Sequence, residues 1–211
     1  MLRIEKVSKT FRLGKHKVVR ALDGVSIEVQ KNEFVMLLGE NGSGKSTLFD
    51  VIGGLCRPDE GYVYFDGENV TKYASYQRAR FVTRIYQSRG YGIPQALTVG
   101  EVLQLGLSFG GGQVAKSVDE ECVADVLENV SPGCSHLIHE QVWHLSGGEH
   151  QLVSLAVAKV LSTRNGSTGH VLLLDEHLSQ LDPVARVMVM NATVDLICGS
   201  GVAAIMATHD C

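Results

Sequence analysis

The fold of this chain is decided by the stretch Gly39-Glu40-Asn41-Gly42-Ser43-Gly44-Lys45-Ser46-Thr47. The apolar run Phe34–Leu38 precedes it, and an apolar pattern with helical spacing follows it from Leu48 to Leu55. A strand, a glycine-rich loop, Lys-Ser and a helix in this order are typical of a loop that binds the phosphates of a nucleotide. An ordinary glycine turn before a helix is the alternative, but it would not require this full spacing. We therefore predict that the chain binds a nucleoside triphosphate.

Each residue type in this loop has a physical role in binding phosphate. Glycines allow successive backbone N–H groups to turn towards phosphate oxygens, and the following helix adds the positive end of its dipole. We expect Lys45 to reach the β- and γ-phosphates and the Ser46 hydroxyl to hold Mg²⁺. The other loop residues predicted to bind the nucleotide are Gly39, Asn41, Gly42, Ser43, Gly44 and Thr47.

The composition of the 211 residues is that of a globular protein, with 45% hydrophobic and 20% charged residues. A net charge of −4 without a basic run gives no electrostatic reason to expect nucleic acid as a partner. The apolar stretches are far shorter than the roughly 20 residues of a membrane span, and the first residues lack a signal peptide's apolar core. The five cysteines show no CxxC spacing, which favours reduced thiols in the cytosol. We expect one domain that is neither secreted nor itself a channel.

Two kinds of strand pattern predict two kinds of sheet. Alternating patterns at Leu2–Ile4 and Val25–Val29, together with Gly61–Phe65 before an Asp-Gly turn, predict half-exposed strands of an antiparallel layer. Continuous apolar runs predict strands that are buried on both faces of a parallel sheet. These runs are Phe34–Leu38, Val171–Leu174 and Val202–Ala207.

Helical patterns dominate the middle of the chain. Thr98 and Glu101 form a capping box that opens one helix, and Val123–Val130 has the apolar spacing of another. A flexible connection, Gly110–Gly112, is predicted between them, and Thr163–Gly169 is predicted to be a polar surface loop.

A last helix is predicted between two buried strands. Asp182 and Pro183 supply its N-cap and first-turn proline, and Gly199 can end it. The whole order predicts an α/β fold: a P-loop NTPase core with a mixed sheet, an antiparallel β subdomain and an inserted helical subdomain. We assign residues 1–87 and 162–211 to the nucleotide-binding core, and residues 88–161 to the helical subdomain, within a single domain.

Two carboxylates, Asp175 and Glu176, follow the predicted strand Val171–Leu174. In such a core the tip of the strand points at the phosphates. Asp175 would then hold Mg²⁺, and Glu176 would orient or deprotonate the attacking water. An ordinary charged end to a strand is the alternative, which the upstream phosphate loop makes the weaker interpretation.

A second glycine-rich segment, Leu145-Ser146-Gly147-Gly148-Glu149, precedes an apolar helical pattern that runs from Leu152 to Leu161. Ser146 and Glu149 form a capping box, so the segment predicts a helix start. A capping box alone does not explain two glycines, whereas paired glycines and a serine at a helix N-terminus also make a second anion site. One chain with two such helix ends but one nucleotide favours a head-to-tail pair of chains, each of which closes the other's site.

These motifs, in this order, resemble those of the nucleotide-binding subunits of ATP-binding cassette (ABC) transporters over essentially the whole chain. Leu145–Glu149 is similar to the signature sequence of the family, which is its most specific motif. The other resemblances, in chain order, are Phe11 to the adenine-stacking aromatic, Gly39–Thr47 to Walker A, Gln87 to the Q-loop glutamine, Val171–Glu176 to Walker B with the catalytic glutamate, Ser179–Asp182 to the D-loop, and His209 to the switch histidine.

The resemblance implies ATP hydrolysis with Mg²⁺ and gives three residues catalytic roles. Glu176 would polarise water, His209 would stabilise charge on the γ-phosphate, and Gln87 would contact both Mg²⁺ and the membrane partner. Ser146, Gly147 and Gly148 would bind the nucleotide of the second chain. From the residues alone, Phe11 could instead be a core aromatic, and Gln87 and His209 could be surface residues.

The resemblance also implies the partners and the location. The implied partners are a second nucleotide-binding subunit, identical or not, transmembrane permease subunits and, in an importer, a substrate-binding protein; nucleic acid is not expected. The chain itself would lie at the cytoplasmic face of the (inner) cell membrane, attached through the permease subunits. The single-cassette layout resembles bacterial importers and lipoprotein-releasing or exporting systems.

Three features depart from the family pattern. His177 replaces the usual proline after the glutamate, Leu152 replaces a frequent arginine, and the sequence stops at Cys211, two residues after His209. A residue near a free end is expected to fray, which would lower activity. The alternative function is therefore a truncated or regulatory cassette that binds ATP but hydrolyses it poorly.

Overall fold

The computed structural model describes residues 1–14, 17–88, 90–108, 119–164 and 170–209. It divides the chain into two compact units, the first formed by Met1–Arg84, Thr168–Asp175 and Gly201–Cys211, and the second by Ile85–Ser167 and Glu176–Ser200. The second unit contains the residues assigned above to the helical subdomain. It also contains 176–200, which the sequence assigned to the core.

Some predictions fall on residues that the structure does not describe. The flexible connection at 110–112 and the loop residues 165–169 lie outside the described residues, as do residue 89 and the final residues 210–211.

Eight strands form two four-stranded sheets in the part of the chain that the structure describes. In chain order they are β1 (Leu2–Leu13), β2 (Lys17–Val29), β3 (Phe34–Leu38), β4 (Glu60–Phe65), β5 (Glu68–Asn69), β6 (Val82–Ile85), β7 (Val171–Asp175) and β8 (Ala203–Thr208). One sheet has the order β2-β1-β4-β5, and the other has the order β3-β8-β7-β6.

The first sheet is the predicted antiparallel layer. β1 pairs with both β2 and β4 in antiparallel register, with Ile4 opposite Ile27 and Val63. A tight turn joins β4 to β5, and its residues Asp66 and Gly67 have φ values of 47° and 84°. Two successive positive φ values give the turn that Asp-Gly favours between antiparallel strands. The sequence prediction of this layer is confirmed.

The second sheet confirms two of the three predicted buried strands and corrects the third. β7 and β8 run parallel, and nearly all their residues are buried. β3 also runs parallel to β8, but its Met36 and Leu38 are 48% and 56% exposed. β3 lies at the end of the strand order and has one covered face, so the prediction that it is buried on both faces was wrong.

Two helices complete the first unit, α1 (Lys45–Gly53) and α2 (Ser75–Arg78). α1 buries Leu48, Phe49, Val51 and Ile52 in a core that it shares with residues of both sheets. It ends before Gly54, which has φ 76° and donates its backbone N–H to the last turn. The sequence pattern counted Leu55 among the apolar positions of this helix, but Leu55 lies beyond its end and is 60% exposed.

Arg78 holds the C-terminal end of α1. Its side chain is completely buried, and its guanidinium donates hydrogen bonds to the carbonyls of Val51 (2.5 Å), Ile52 (2.9 Å) and Thr71 (2.9 Å). The last carbonyls of a helix have no partner within the helix, so a buried donor satisfies them. Burial lowers the pKa of Arg78 to about 10, and at neutral pH the group keeps its charge.

The second unit contains the remaining helices of the described chain, and polar side chains cap the starts of three of its four α-helices. The helices are α3 (Val99–Ser108), α4 (Glu120–Glu128), α5 (Gly147–Arg164) and α6 (Pro183–Ser200), with 3₁₀ turns at Cys134–His139 and Val142–His144. Thr98 and Glu101 form the predicted capping box, with the Thr98 N–H donating to the Glu101 carboxylate at 2.8 Å. Asp182 accepts the N–H groups of Val184 and Ala185, both at 3.0 Å.

The end of α6 differs from the prediction. The helix continues through Gly199 to Ser200, and Gly201 follows with φ 70°. Glycine at this position allows the left-handed conformation that ends many helices, so the stop lies two residues later than predicted. None of the helices in the described segments is both long and apolar enough to cross a membrane.

Replacing Arg78 tests its role in the fold. We expect Arg78→Met to lower the free energy of unfolding by roughly 3 kcal/mol or more, because three carbonyls each lose a hydrogen bond from a charged donor, and such bonds contribute about 1.5–3 kcal/mol each. Urea unfolding measures the change. Arg80→Met is the matched control, because Arg80 is half-exposed and pairs with Glu68 at the surface, where such pairs contribute about 1 kcal/mol or less. Equal effects of the two substitutions would contradict the assignment.

Candidate nucleotide-binding site

The phosphate loop joins β3 to α1 and depends on glycine at its last position. Gly42 and Gly44 have φ values of 86° and 98°, which other residues adopt only with strain. A Cβ at Gly44 would lie 2.3 Å from the carbonyl oxygen of Ala21 in β2. The loop backbone therefore packs against β2 more closely than any side chain allows. Among the described residues, no side chain caps the start of α1, so its first N–H groups are available to an anion.

Lys45, the first residue of α1, folds back over this loop. Its ammonium group donates to the carbonyl of Gly39 and, at 3.0 Å, to that of Glu40. The cation is thus held above the same backbone that would surround a phosphate. A bound phosphate oxygen would accept from this ammonium group in a charge-assisted hydrogen bond, which is stronger than a bond to a neutral carbonyl.

Asp175, the last residue of β7, is paired with an arginine that the sequence analysis did not identify. Arg84 in β6 donates to Oδ2 of Asp175 and, at 2.5 Å, to the carboxylate of Asp50 in α1. The Arg84 side chain is only 11% exposed. Burial by itself lowers the pKa of Arg84, but its hydrogen bonds to Asp175 and Asp50 outweigh this effect and raise the pKa above its ordinary value.

The residues predicted to hold Mg²⁺ in the first unit fit a metal that arrives with its nucleotide. Within the described residues, no group of three or more His, Cys, Asp or Glu side chains could hold a metal ion. Mg²⁺ at nucleotide sites uses one or two protein groups together with phosphates and water. The Ser46 hydroxyl and the Asp175 carboxylate are oxygen ligands of this kind.

Glu176, the first residue of the second unit's later segment, has an unusual backbone conformation. Its φ of 48° is rare for a residue other than glycine. Ser179 stabilises the turn that follows, because its N–H and its hydroxyl both donate to the Glu176 carbonyl, at 3.0 and 2.8 Å. Gln87 in turn donates its side-chain amide to the Ser179 hydroxyl at 2.9 Å. Three residues named by the motif analysis are therefore linked by hydrogen bonds around this turn.

The signature segment forms the start of α5 as predicted. The Ser146 N–H donates to the Glu149 carboxylate at 2.7 Å, which confirms the capping box. Gly148 is buried against α6, and a Cβ there would lie 2.8 Å from the Cβ of Ala185. This contact explains one of the two glycines by packing alone. Ser146 is exposed, so its hydroxyl can be reached from outside the chain.

Two other predicted residues lie at the surface of the first unit. Phe11 in β1 is 37% exposed, which excludes a core role, and the ammonium group of Lys9 lies 5.6 Å from its ring centroid. His209 directly follows β8 and is exposed. The first unit thus carries Phe11, the phosphate loop, Asp175 and His209, and the second carries Gln87, the signature segment and Glu176.

Leu152 and His177, the two residues that depart from the family pattern, are both buried, and the helix and turn around them are formed. Leu152 is buried in α5, and the neighbouring Gln151 donates to the carbonyl of Tyr86 at 3.1 Å. His177 is 2% exposed, and neither ring nitrogen has a hydrogen-bond partner among the described residues. Burial lowers the pKa of His177 to about 4.

Arg84 and Asp50 are the main site residues that the motifs did not predict. One sequence signal was available: an arginine interrupts the otherwise apolar or hydroxyl-bearing strand Val82–Ile85. A charged residue in a strand that ends near a phosphate site requires a partner when it is buried. The sequence does not show which carboxylates supply it.

Comparisons with known proteins show the family of the chain. Residues 22–179 match the family profile described as ABC transporter. A tyrosine transport ATP-binding protein of Clostridioides difficile is 32% identical, over 100% of this chain and 82% of that protein. The macrolide export ATP-binding/permease protein MacB of Syntrophobacter fumaroxidans is 31% identical over 100% of this chain, but only 28% of its own length is covered.

A solved structure extends the comparison to the fold. The ATP-binding cassette MJ0796, as a dimer in a post-hydrolysis state bound to ADP and Pi, superimposes with a TM-score of 0.82 and 27% identity, covering 100% of this chain and 88% of that one. Together, the fold and the phosphate loop define a P-loop ATPase of the cassette type. The chain belongs to the ABC transporter family.

The close approach at Gly44 can be tested directly. Gly44→Ala should reduce ATP affinity at least tenfold, because its Cβ would push the phosphate loop away from β2. Equilibrium binding of a fluorescent ATP analogue measures the affinity, and far-UV circular dichroism verifies folding. Gly53→Ala is the matched control, since a Cβ at that position in α1 meets nothing within 4 Å. Unchanged affinity in folded Gly44→Ala would contradict the packing argument.

The buried histidine predicts a pH dependence of stability. The unfolded chain protonates His177 near the ordinary pKa of 6.5, whereas the folded chain resists protonation until about pH 4. The stabilisation is therefore complete above pH 6.5 and declines progressively as the pH falls towards 4. His177→Gln should lose less unfolding free energy than the wild type between pH 7 and pH 5, as measured by urea unfolding at both values. His144→Gln, at an exposed histidine, is the control, and equal losses in wild type and His177→Gln would refute the prediction.

Proposed function

We propose that this chain is the ATP-hydrolysing subunit of a bacterial membrane transporter and that two such subunits close around two ATP molecules. One observation carries the proposal: the chain has two glycine-containing helix starts, at α1 and at α5, of which only the first follows a phosphate loop. A helix start with the exposed Ser146 is available to the phosphates of a nucleotide held by another chain. The dimeric state of the similar cassette MJ0796 supports this arrangement.

The first unit supplies the groups that bind the nucleotide. The backbone of the phosphate loop and Lys45 hold the phosphates, while Phe11 stacks on the adenine. Ser46 and Asp175 hold Mg²⁺, which neutralises charge on the phosphate oxygens when it is bound. His209 stabilises charge that develops on the γ-phosphate.

The second unit supplies the group that acts on water. Glu176 orients the attacking water or accepts its proton, which is a general-base role. The Gln87–Ser179 hydrogen bond and the bonds from Ser179 to the Glu176 carbonyl hold the turn that carries this carboxylate. A displacement of Gln87 by a membrane subunit would therefore change the hydrogen bonds of Ser179, which hold the backbone of Glu176. This link gives a physical route from transport to hydrolysis.

The partners follow from this mechanism. The chain acts with a second nucleotide-binding subunit and with permease subunits, at the cytoplasmic face of the membrane, and in an importer with a substrate-binding protein. Its relatives include proteins of both import and export, such as a nitrate import ATP-binding protein and a macrolide export ATP-binding/permease protein. The proposal therefore concerns the energy-supplying step, which is common to both directions.

Light scattering of Glu176→Gln tests the shared site. This variant should bind ATP without hydrolysing it, so with Mg²⁺ and ATP the 22.8 kDa monomer should become a dimer of twice that mass. ATP binding without any change in mass would overturn the two-chain mechanism and favour a regulatory cassette. Failure to bind ATP at all would overturn the nucleotide-binding function itself.

Two further variants serve as controls for the same experiment. Glu176→Gln combined with Ser146→Arg should still bind ATP but stay monomeric, because a bulky cation would occupy the helix start that faces the other chain. Glu176→Gln combined with Lys45→Ala should stay monomeric because it does not bind ATP. A dimer with the Ser146→Arg combination would contradict the role assigned to the signature segment.

A further inference from the structure

Arg84 is placed between two carboxylates that come from distant parts of the first unit. One terminal nitrogen donates to Asp50 at 2.5 Å, and the other donates to Oδ2 of Asp175. The guanidinium carbon also lies 5.5 Å from the centroid of the Phe49 ring, on the same helix as Asp50. The arginine is thus fixed by α1 on one side and by the end of β7 on the other.

The two carboxylates share one cation. The side chains of Asp50 and Asp175 are 38% and 16% exposed, so their mutual repulsion is only partly screened by solvent. Two neighbouring carboxylates without a cation between them repel each other and attract divalent ions, because carboxylate oxygens are the preferred ligands of hard cations. Arg84 occupies the position between Asp50 and Asp175.

We propose that Arg84 is a positioning residue that blocks divalent-cation binding between Asp50 and Asp175, so that Asp175 takes part in metal binding only when nucleotide phosphates supply further ligands. The inference rests on the proposed function, in which Asp175 holds Mg²⁺ of the bound nucleotide. Arg84 engages Oδ2 of Asp175 through a charge-assisted hydrogen bond, which fixes the orientation of the carboxylate. The metal and nucleotide then arrive together, and the protein does not store metal in the nucleotide-free state.

The net charge of Arg84, Asp50 and Asp175 decides whether a divalent ion binds before the nucleotide or together with it. With Arg84 present, the three groups carry a net charge of −1, from one cation and two carboxylates. Without it, the same space holds two carboxylates and a charge of −2, which attracts divalent ions more strongly. The arginine guanidinium is charged throughout the physiological range. The block is therefore permanent until the side chain itself is replaced.

Binding of Mn²⁺ without nucleotide tests the proposal, with electron paramagnetic resonance of the free ion as the readout. Arg84→Met should bind one Mn²⁺ at least tenfold more tightly than the wild type. Adding Asp50→Asn to Arg84→Met should abolish that gain, because only one carboxylate remains. Equal Mn²⁺ affinity in wild type and folded Arg84→Met would overturn the inference, since a merely structural arginine would not affect metal binding.

A second variant keeps the test decisive if Arg84→Met does not fold. Asp50→Asn changes a half-exposed side chain and removes one of the two carboxylates that share Arg84. Arg84 would then pair with the Asp175 carboxylate only, so Asp175 should be less available to a metal. The gain in ATP affinity on adding Mg²⁺, relative to EDTA, should fall several-fold in this variant, and an unchanged gain would overturn the proposal. Wild-type protein that shows no Mg²⁺-dependent gain would instead refute the proposed nucleotide-metal site, so the two failures are distinguishable.

Discussion

The close contact between the phosphate loop and β2 is the constraint on which the first unit's site depends. Gly44 lies so near the Ala21 carbonyl that its Cα hydrogen is the largest group the space admits. This contact fixes where α1 begins, and therefore where its N–H groups and the Lys45 ammonium group point. Arg78 fixes the other end of α1 through the carbonyls of Val51 and Ile52. A helix held at both ends can present its positive dipole to a phosphate without moving, and such preorganisation lowers the cost of binding.

A different kind of constraint operates around Glu176. Its left-handed backbone conformation costs on the order of 1–3 kcal/mol and persists only if the surroundings hold it. Two hydrogen bonds from Ser179 and a third from Gln87 provide that support within the second unit. Strain at the residue proposed to act on water is consistent with a site whose geometry can change. Loss of the Gln87 bond would weaken the support of Ser179, and the carboxylate would lose its fixed direction.

The sequence predicted what is encoded locally. The phosphate loop, the capping boxes at Thr98 and Ser146 and the Asp66-Gly67 turn each depend on residues within a few positions of one another, and each is present. The one-sided burial of β3 could not be predicted, because a continuous apolar run has the same composition in a central strand and at the end of a sheet. Likewise, Arg84 and Asp175 are 91 residues apart, and Arg78 and Val51 are 27 apart. Pairs of this kind depend on topology, which no local pattern encodes.

Arg78 and Arg84 show why residue type alone does not determine role. They lie six positions apart, both are largely shielded from solvent, and both contact α1. Among the described residues, Arg78 donates to the neutral carbonyls of Val51, Ile52 and Thr71, and burial lowers its pKa. Arg84 meets two carboxylates, and their hydrogen bonds outweigh burial and raise its pKa. The first arginine therefore satisfies backbone groups and has a structural function, whereas the second controls the charge seen by an approaching cation. Their different partners, rather than their common chemistry, separate a residue that stabilises the site from one that decides what the site can bind.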